Sequence, residues 1–275
     1  MLRELKVAAI SAALTVALWA PTAWATPFPG PDDFGYAGAA IPFNLRDISA
    51  SGTSAFGGAV DDSVTGAIPI GFSFSFYGNT FSQAYIGSNG FVTFSADQSP
   101  GCCSGGPLPG TANPSNMVAG WFTDLISQFN GAGDILYQTV GASGSREFIV
   151  EYISNRYFSA GDFNTFEIIL HEGTNDIELQ YLSTTADGHN RSVGIENAGT
   201  GTTDEEGLTG LADGAQIGLQ IVNDNQTTFS QQGFCISTGS TSCPTAQPSV
   251  PEPATLILVG AGLVALAVRR RRRTS

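Results

Sequence analysis

His171 and His189 are the residues able to exchange protons near neutral pH, so any acid–base chemistry starts with them. His171 closes an apolar run and is followed by Glu172, while His189 stands in the turn Asp187-Gly188-His189-Asn190. No G-x-S-x-G elbow follows an apolar strand, and Ser88 in Ser88-Asn89-Gly90 reads as a turn serine. Nucleophilic catalysis therefore has no support in the spacing. Carboxylates are abundant. Glu147, Glu151, Glu167 and Glu178 fall in β-patterned runs and some must share a face, which two acids need in order to hydrolyse a glycosidic bond. The competing reading is a set of solvated strand glutamates that discourage edge-to-edge pairing. Asp61-Asp62 would suit a cation, but no EF-hand pattern surrounds it, and it reads as a solvated turn. Asp124 reads as a turn cap. These patterns assign no catalytic residue, no metal site and no cofactor.

The cysteines are Cys102, Cys103, Cys235 and Cys243. In an exported chain they suggest disulfides. Adjacent Cα atoms lie about 3.8 Å apart, below the usual disulfide range of about 4.4–6.8 Å, so a Cys102–Cys103 bridge would be strained though possible. Cys235 and Cys243 can close a local loop, or each can cross to one member of the vicinal pair. No histidine or acid stands at zinc-like spacing from them.

The elements that must hold these residues read as strands. Ile70, Phe72, Phe74 and Phe76 alternate with small residues, a period of two with one aromatic face. Tyr77-Gly78-Asn79 supplies turn chemistry. Short strands over 83–86 and 91–94 flank Ser88-Asn89-Gly90, where Asn-Gly predicts a type I′ hairpin turn. Residues 99–116 form a Gly/Pro/Ser-rich insertion, a candidate binding loop or one pinned by a disulfide. Trp121 is expected in the core. Strands over 134–140, 146–152, 165–171 and 176–182, separated by glycine-containing turns, have the cadence of an antiparallel meander. Ile168-Ile169-Leu170 predicts a central strand buried on both faces. Further strands are expected over 41–47, 192–196, 216–222 and 227–237. The fold class is all-β, an antiparallel β-sandwich, with an N-terminal signal peptide and a C-terminal single hydrophobic helix.

Charge narrows the partners. Taking Arg3, Lys6 and the five terminal arginines from 11 basic residues leaves four, Arg46, Arg146, Arg156 and Arg191. Taking Glu4 and Glu252 from 24 acids leaves 22, so the body is near −18 and contains no lysine. Such a surface disfavours nucleic acid and anionic lipid.

The two ends read as export signals. Arg3 and Lys6 precede an apolar run from Val7 to Ala20, and Ala23-Trp24-Ala25 places cleavage between Ala25 and Thr26. At the other end Pro251-Glu252-Pro253 precedes an apolar stretch from Ala254 to Val268, and Arg269, Arg270, Arg271, Arg272 and Arg273 close it. As a helix, 254–268 spans about 22 Å, short of a hydrocarbon core of about 30 Å, a gap that snorkelling arginine stems reduce. The arginines belong on the cytoplasmic side. The expected units are 1–25 signal peptide, 26–238 extracellular β-sandwich, 239–250 linker and 251–275 sorting segment with transmembrane helix 254–268.

Motif, short span and arginine cluster in this order resemble the PEP-CTERM sorting signal. The resemblance implies an exosortase-type processing enzyme acting near Pro251–Pro253. It also implies a precursor held in the inner membrane by the helix, and a body delivered to the cell surface or extracellular matrix. The run IPIGFSFSFYGNTFSQAYIGSNGFVTF (68–94), with MVAGWFTDL, REFIVEY, TFEIILHE, DIELQY and SVGIEN beyond it, resembles a β-rich module of exported bacterial surface proteins and, loosely, the nidogen-like module. That likeness implies a noncatalytic adhesive or structural role, toward exopolysaccharide or another surface protein. The alternative is a secreted carbohydrate-active enzyme using paired carboxylates.

Overall fold

The structure is a computed structural model and describes residues 31–96, 98–101, 105–110, 114, 116–129, 131–159, 161–197 and 218–239. In chain order the strands are β1 Ala37–Ile41, β2 Thr53–Ser54, β3 Ile68–Phe76, β4 Asn79–Gly87, β5 Phe91–Thr93, β6 Met117–Phe122 and β7 Leu125–Ile126. There follow β8 Ile135–Val140, β9 Glu147–Tyr157, β10 Phe163–His171, β11 Ile177–Ser183, β12 Arg191–Glu196, β13 Gly218–Asp224 and β14 Ser230–Ser237. One eight-stranded sheet runs β1-β14-β11-β10-β9-β8-β2, with β7 also paired to β9; a six-stranded sheet runs β13-β12-β6-β5-β4-β3. All pairings are antiparallel. The molecule is the expected sandwich, and β8 to β11 form the expected meander.

The inner layer follows from alternation. On β3 the residues Ile68, Ile70, Phe72, Phe74 and Phe76 are buried, with exposed or half-buried residues between them. They meet Trp121, Tyr152, Phe166, Leu179 and Phe234 in one core. Its buried hydroxyls are satisfied, because leaving one unpaired costs about 1–3 kcal/mol. Trp121 Nε1 donates to Tyr157 Oη at 3.0 Å, Tyr181 Oη donates to the Gly120 carbonyl at 2.6 Å, and Tyr152 Oη reaches the Gly87 carbonyl at 2.8 Å. Arg191 is fully buried, with its guanidinium 5.4 Å from the Trp121 ring centroid and a hydrogen bond of 2.9 Å to the Thr227 carbonyl.

The outer faces depart from simple alternation. All residues of β6 and β12 are buried, as is most of β10. Each sheet carries a second cluster on its outer face. Ile48 of the irregular segment 42–52 clusters with Leu136, Ile149 and Ile169, and Leu108 of segment 105–110 clusters with Phe91, Met117, Ala119 and Phe122. One expectation is corrected here. The strand expected over 41–47 ends at Ile41, and residues 42–52 form a strap across the sheet. Within the 99–116 insertion, residues 105–110 lie on a sheet. Gly105 N donates to the Asn190 carbonyl at 2.8 Å, Leu108 N to Gln220 at 2.9 Å and Gly110 N to Glu196 at 2.7 Å.

The hairpin turns differ from expectation as well. Type I′ geometry needs positive φ at both central residues. It occurs at Tyr77 and Gly78, φ 46° and 80°, between the paired residues Phe76 and Asn79. At the other hairpin Gly87 pairs with Phe91, leaving a three-residue loop in which Gly90 alone has positive φ, 85°. Asn89 turns inward instead. A Cβ on Gly90 would come within 2.1 Å of the Trp121 carbonyl oxygen, so this loop is built against β6.

Candidate functional site

Register brings the strand acids together. Glu151 on β9 faces Glu167 on β10, Glu167 faces Gln180 on β11, and His171 faces Glu147. They share the outer face of the large sheet, yet Glu151, Glu167 and Glu178 are 2 %, 0 % and 4 % exposed. The reading of solvated strand glutamates is thereby corrected. The strap covers them and supplies their partners. Arg46 N donates to both Glu167 oxygens at 3.0 and 2.9 Å, Ile48 N to Glu151 at 3.0 Å and Asn44 N to Gln180 at 2.9 Å. The Arg46 guanidinium reaches Glu147 at 3.1 Å and Glu178 Oε2 at 2.8 Å, and also binds Glu178 Oε1. His171 Nε2 lies 2.9 Å from Glu178.

These environments set the proton affinities. Burial pushes Glu167 up to about 8, against the Arg46 amide that favours its anion. Burial likewise raises Glu151. Glu178 is held below its usual range, because hydrogen bonds from His171 and Arg46 outweigh its desolvation. The group thus sorts into an ion-paired side around Arg46 and, under the strap, a pair of carboxyls that burial pushes toward the neutral form. Main-chain amides occupy the carboxylates that a glycosidase would have to leave open to substrate.

A second acidic group forms where distant loops meet. One carboxylate oxygen from each of Asp61, Asp62 and Asp124 lies within 4.8 Å of the others. Asp62 accepts from Asn89 Nδ2 at 2.8 Å, and Asn89 Oδ1 accepts the Leu125 amide at 2.9 Å, so the buried Asn89 fixes both sides of the cluster. Asp61 Oδ1 is buried without a hydrogen-bond partner among the described residues. Burial, then Asp62 and Asp61, raises Asp124 to about 6. All-oxygen donors suit a hard cation, but three carboxylates are fewer than the six to eight oxygens calcium takes. The sequence offered Asp61-Asp62 as a cation contact and Asp124 as a turn cap, but their distance along the chain hid that the three carboxylates meet.

Among the residues expected to carry sorting or crosslinking, Cys235 is described. It is buried on β14 and disulfide-bonded, with its partner outside the described residues. Ala25, Thr26, Cys102, Cys103, Cys243, Pro251, Glu252, Pro253 and Arg269 to Arg273 lie outside them too. Among the described residues no helix is long and apolar enough to cross a membrane, and 254–268 is not among them.

Comparison with known proteins bears on both parts of the chain. A family model described as NIDO related matches residues 35–234, and one described as a PEP-CTERM protein-sorting motif matches residues 249–273. No curated protein and no solved structure matches.

Proposed function

The chain belongs to the NIDO-related family and ends in a PEP-CTERM protein-sorting motif, and from that premise we propose that it is a noncatalytic binding module of the cell surface or extracellular matrix. The motif implies exosortase processing, export and surface sorting. The finer reading is that helix 254–268 holds a precursor in the inner membrane until cleavage near Pro251–Pro253 frees the body. The body then binds a polymer or another surface protein, without chemistry.

One observation carries the noncatalytic part. Glu147, Glu151, Glu167 and Glu178, the strand acids that paired-carboxylate hydrolysis would recruit, are bound by Arg46 or by strap amides. Their work is to seat the strap. The test uses protein released by the native host, incubated with extracellular matrix from that host. Retention on the matrix without release of reducing sugar ends is expected. Reducing ends that disappear in Glu178→Gln would establish the glycosidase instead, and wild-type protein that stays in solution would end the binding reading.

A further inference from the structure

We propose that the groove between β3 and the turns at 141–146 and 172–175 is a binding site for a segment of neutral polysaccharide, an assignment that rests on the binding-module reading above. The groove has a volume of about 720 Å³ and is lined by Pro69, Gly71, Ser73, Ser82, Gln83 and Arg146, among others.

The groove is built by a lapse in pairing. Pro69 faces Gln83 and Phe74 faces Phe81, so residues 70–73 stand opposite Ser82 alone. Gly71, with φ 91°, carries the chain through the resulting bulge. The far wall is rigid. Arg146 Nε and Nη2 bind Glu172 at 2.8 and 2.6 Å, and the same Glu172 accepts the amides of Gly144 at 2.7 Å and Arg146 at 3.1 Å. Arg146 Nη1 donates to the Gly71 carbonyl, and the guanidinium lies 5.7 Å from the Phe72 ring centroid.

The chemistry of the lining selects the ligand. Arg146 and Glu172, the charged residues of the lining, neutralise each other in a bidentate pair, which leaves no counter-charge there for an ionic ligand. Ser73, Ser82 and Gln83 are exposed residues of the lining, and their side chains make no hydrogen bond among the described residues. They offer donors and acceptors at once, as sugar hydroxyls require. The flat guanidinium and the glycine backbone at Gly71, Gly144 and Gly173 give the C–H face of a pyranose a surface to lie on. An added peptide strand fits less well, because side chains already cap this edge of β3. Thr139 donates to the Ile70 carbonyl at 2.8 Å, and Asn175 accepts the Ser75 amide at 2.7 Å.

The test is titration of the full chain, purified in detergent, with dextran and cellohexaose as neutral probes and alginate as an anionic one. A neutral probe should bind, with a Kd that changes less than about twofold between low and high salt, since no net charge is neutralised. Ser82→Trp, which fills the groove from an exposed position, should weaken binding by about tenfold or more, and Gln83→Ala by about threefold. Failure of both neutral probes to bind, binding of alginate alone, or full affinity in Ser82→Trp would each overturn the site. Displacement of the bound probe by an extended peptide would make the groove a strand-addition edge and overturn it too. Matrix retention separates the two readings. A Ser82→Trp protein still retained on host matrix leaves the module standing without this groove, whereas an unretained wild type removes the module itself.

Discussion

At the scale of single residues, the buried acids make stability depend on pH in an unusual direction. Glu167 and Glu196 are 0 % and 1 % exposed, and burial raises each to about 8. The amides of Arg46 and Gly110 favour the anions but do not offset desolvation. Below the unfolded carboxyl value both states carry the proton and nothing is lost. Between that value and about 8 the folded protein binds more protons than the unfolded chain, so stability falls as pH rises and levels off above it. Each group should cost on the order of 5 kcal/mol by alkaline pH, since its value moves from 4.5 to about 8. Urea denaturation across this range should show the decline, and Glu167→Gln combined with Glu196→Gln should flatten it while changing little in acid. A wild type with rising stability in the same window would mean that both groups are ionised in the fold.

Between residues and sheets stand the straps, and they explain what could be read in advance. Inner-face strands such as β3 were legible because one buried face imposes a period of two. The outer faces were less so: Ile168-Ile169-Leu170 did announce a strand buried on both faces, but elsewhere segments 42–52 and 105–110 do the burying, and nothing local in Pro42–Ile48 says that its amides will meet Glu151, Glu167 and Gln180, 100 or more residues away. The Asn-Gly signal failed for a similar reason. Tertiary contacts drew Asn89 inward to Asp62 and the Leu125 amide, while the less typical pair Tyr77-Gly78 made the type I′ turn. Gly78→Ala should therefore destabilise by about 1 kcal/mol through its positive φ, readable as a lower Tm with unchanged secondary structure. Arg46 is the fastener of the first strap. Arg46→Ala leaves Glu147 and Glu178 without their shared cation, with His171 beside both and Gln180 donating to Glu178, and should cost about 2–4 kcal/mol. Adding Glu178→Gln should recover part of that loss. Equal denaturation midpoints for wild type and Arg46→Ala would show that the apolar contacts of Ile48 suffice.

For the whole molecule, the ends of the sandwich define how it is presented. Ala37 pairs with Ser237, so the first and last strands enter and leave side by side at the edge of the large sheet. Ile236 also faces Ile177, next to the 172–175 turn that walls the groove. Ser237 thus lies at that end, and the loops bearing Asp124 and His189 lie at the other. With a body near −18, a permanent link to an anionic membrane surface would be repulsive, and release by cleavage removes the conflict. A permanent anchor needs length, apolarity and flanking charge, but has no use for Pro251-Glu252-Pro253. A processing enzyme does, because two prolines hold the chain extended and restrict the residue before each, so it can enter a groove without unwinding a helix. Glu252 adds a single charge for recognition. Glu252→Ala should therefore leave membrane insertion intact and accumulate the uncleaved precursor, whereas replacing Arg269 to Arg273 with serine should disturb retention and orientation. The measurement is the C-terminal mass of the surface-exposed protein in the native host. A mature chain that still ends at Ser275 with its arginines attached would mean that the tail is a plain anchor.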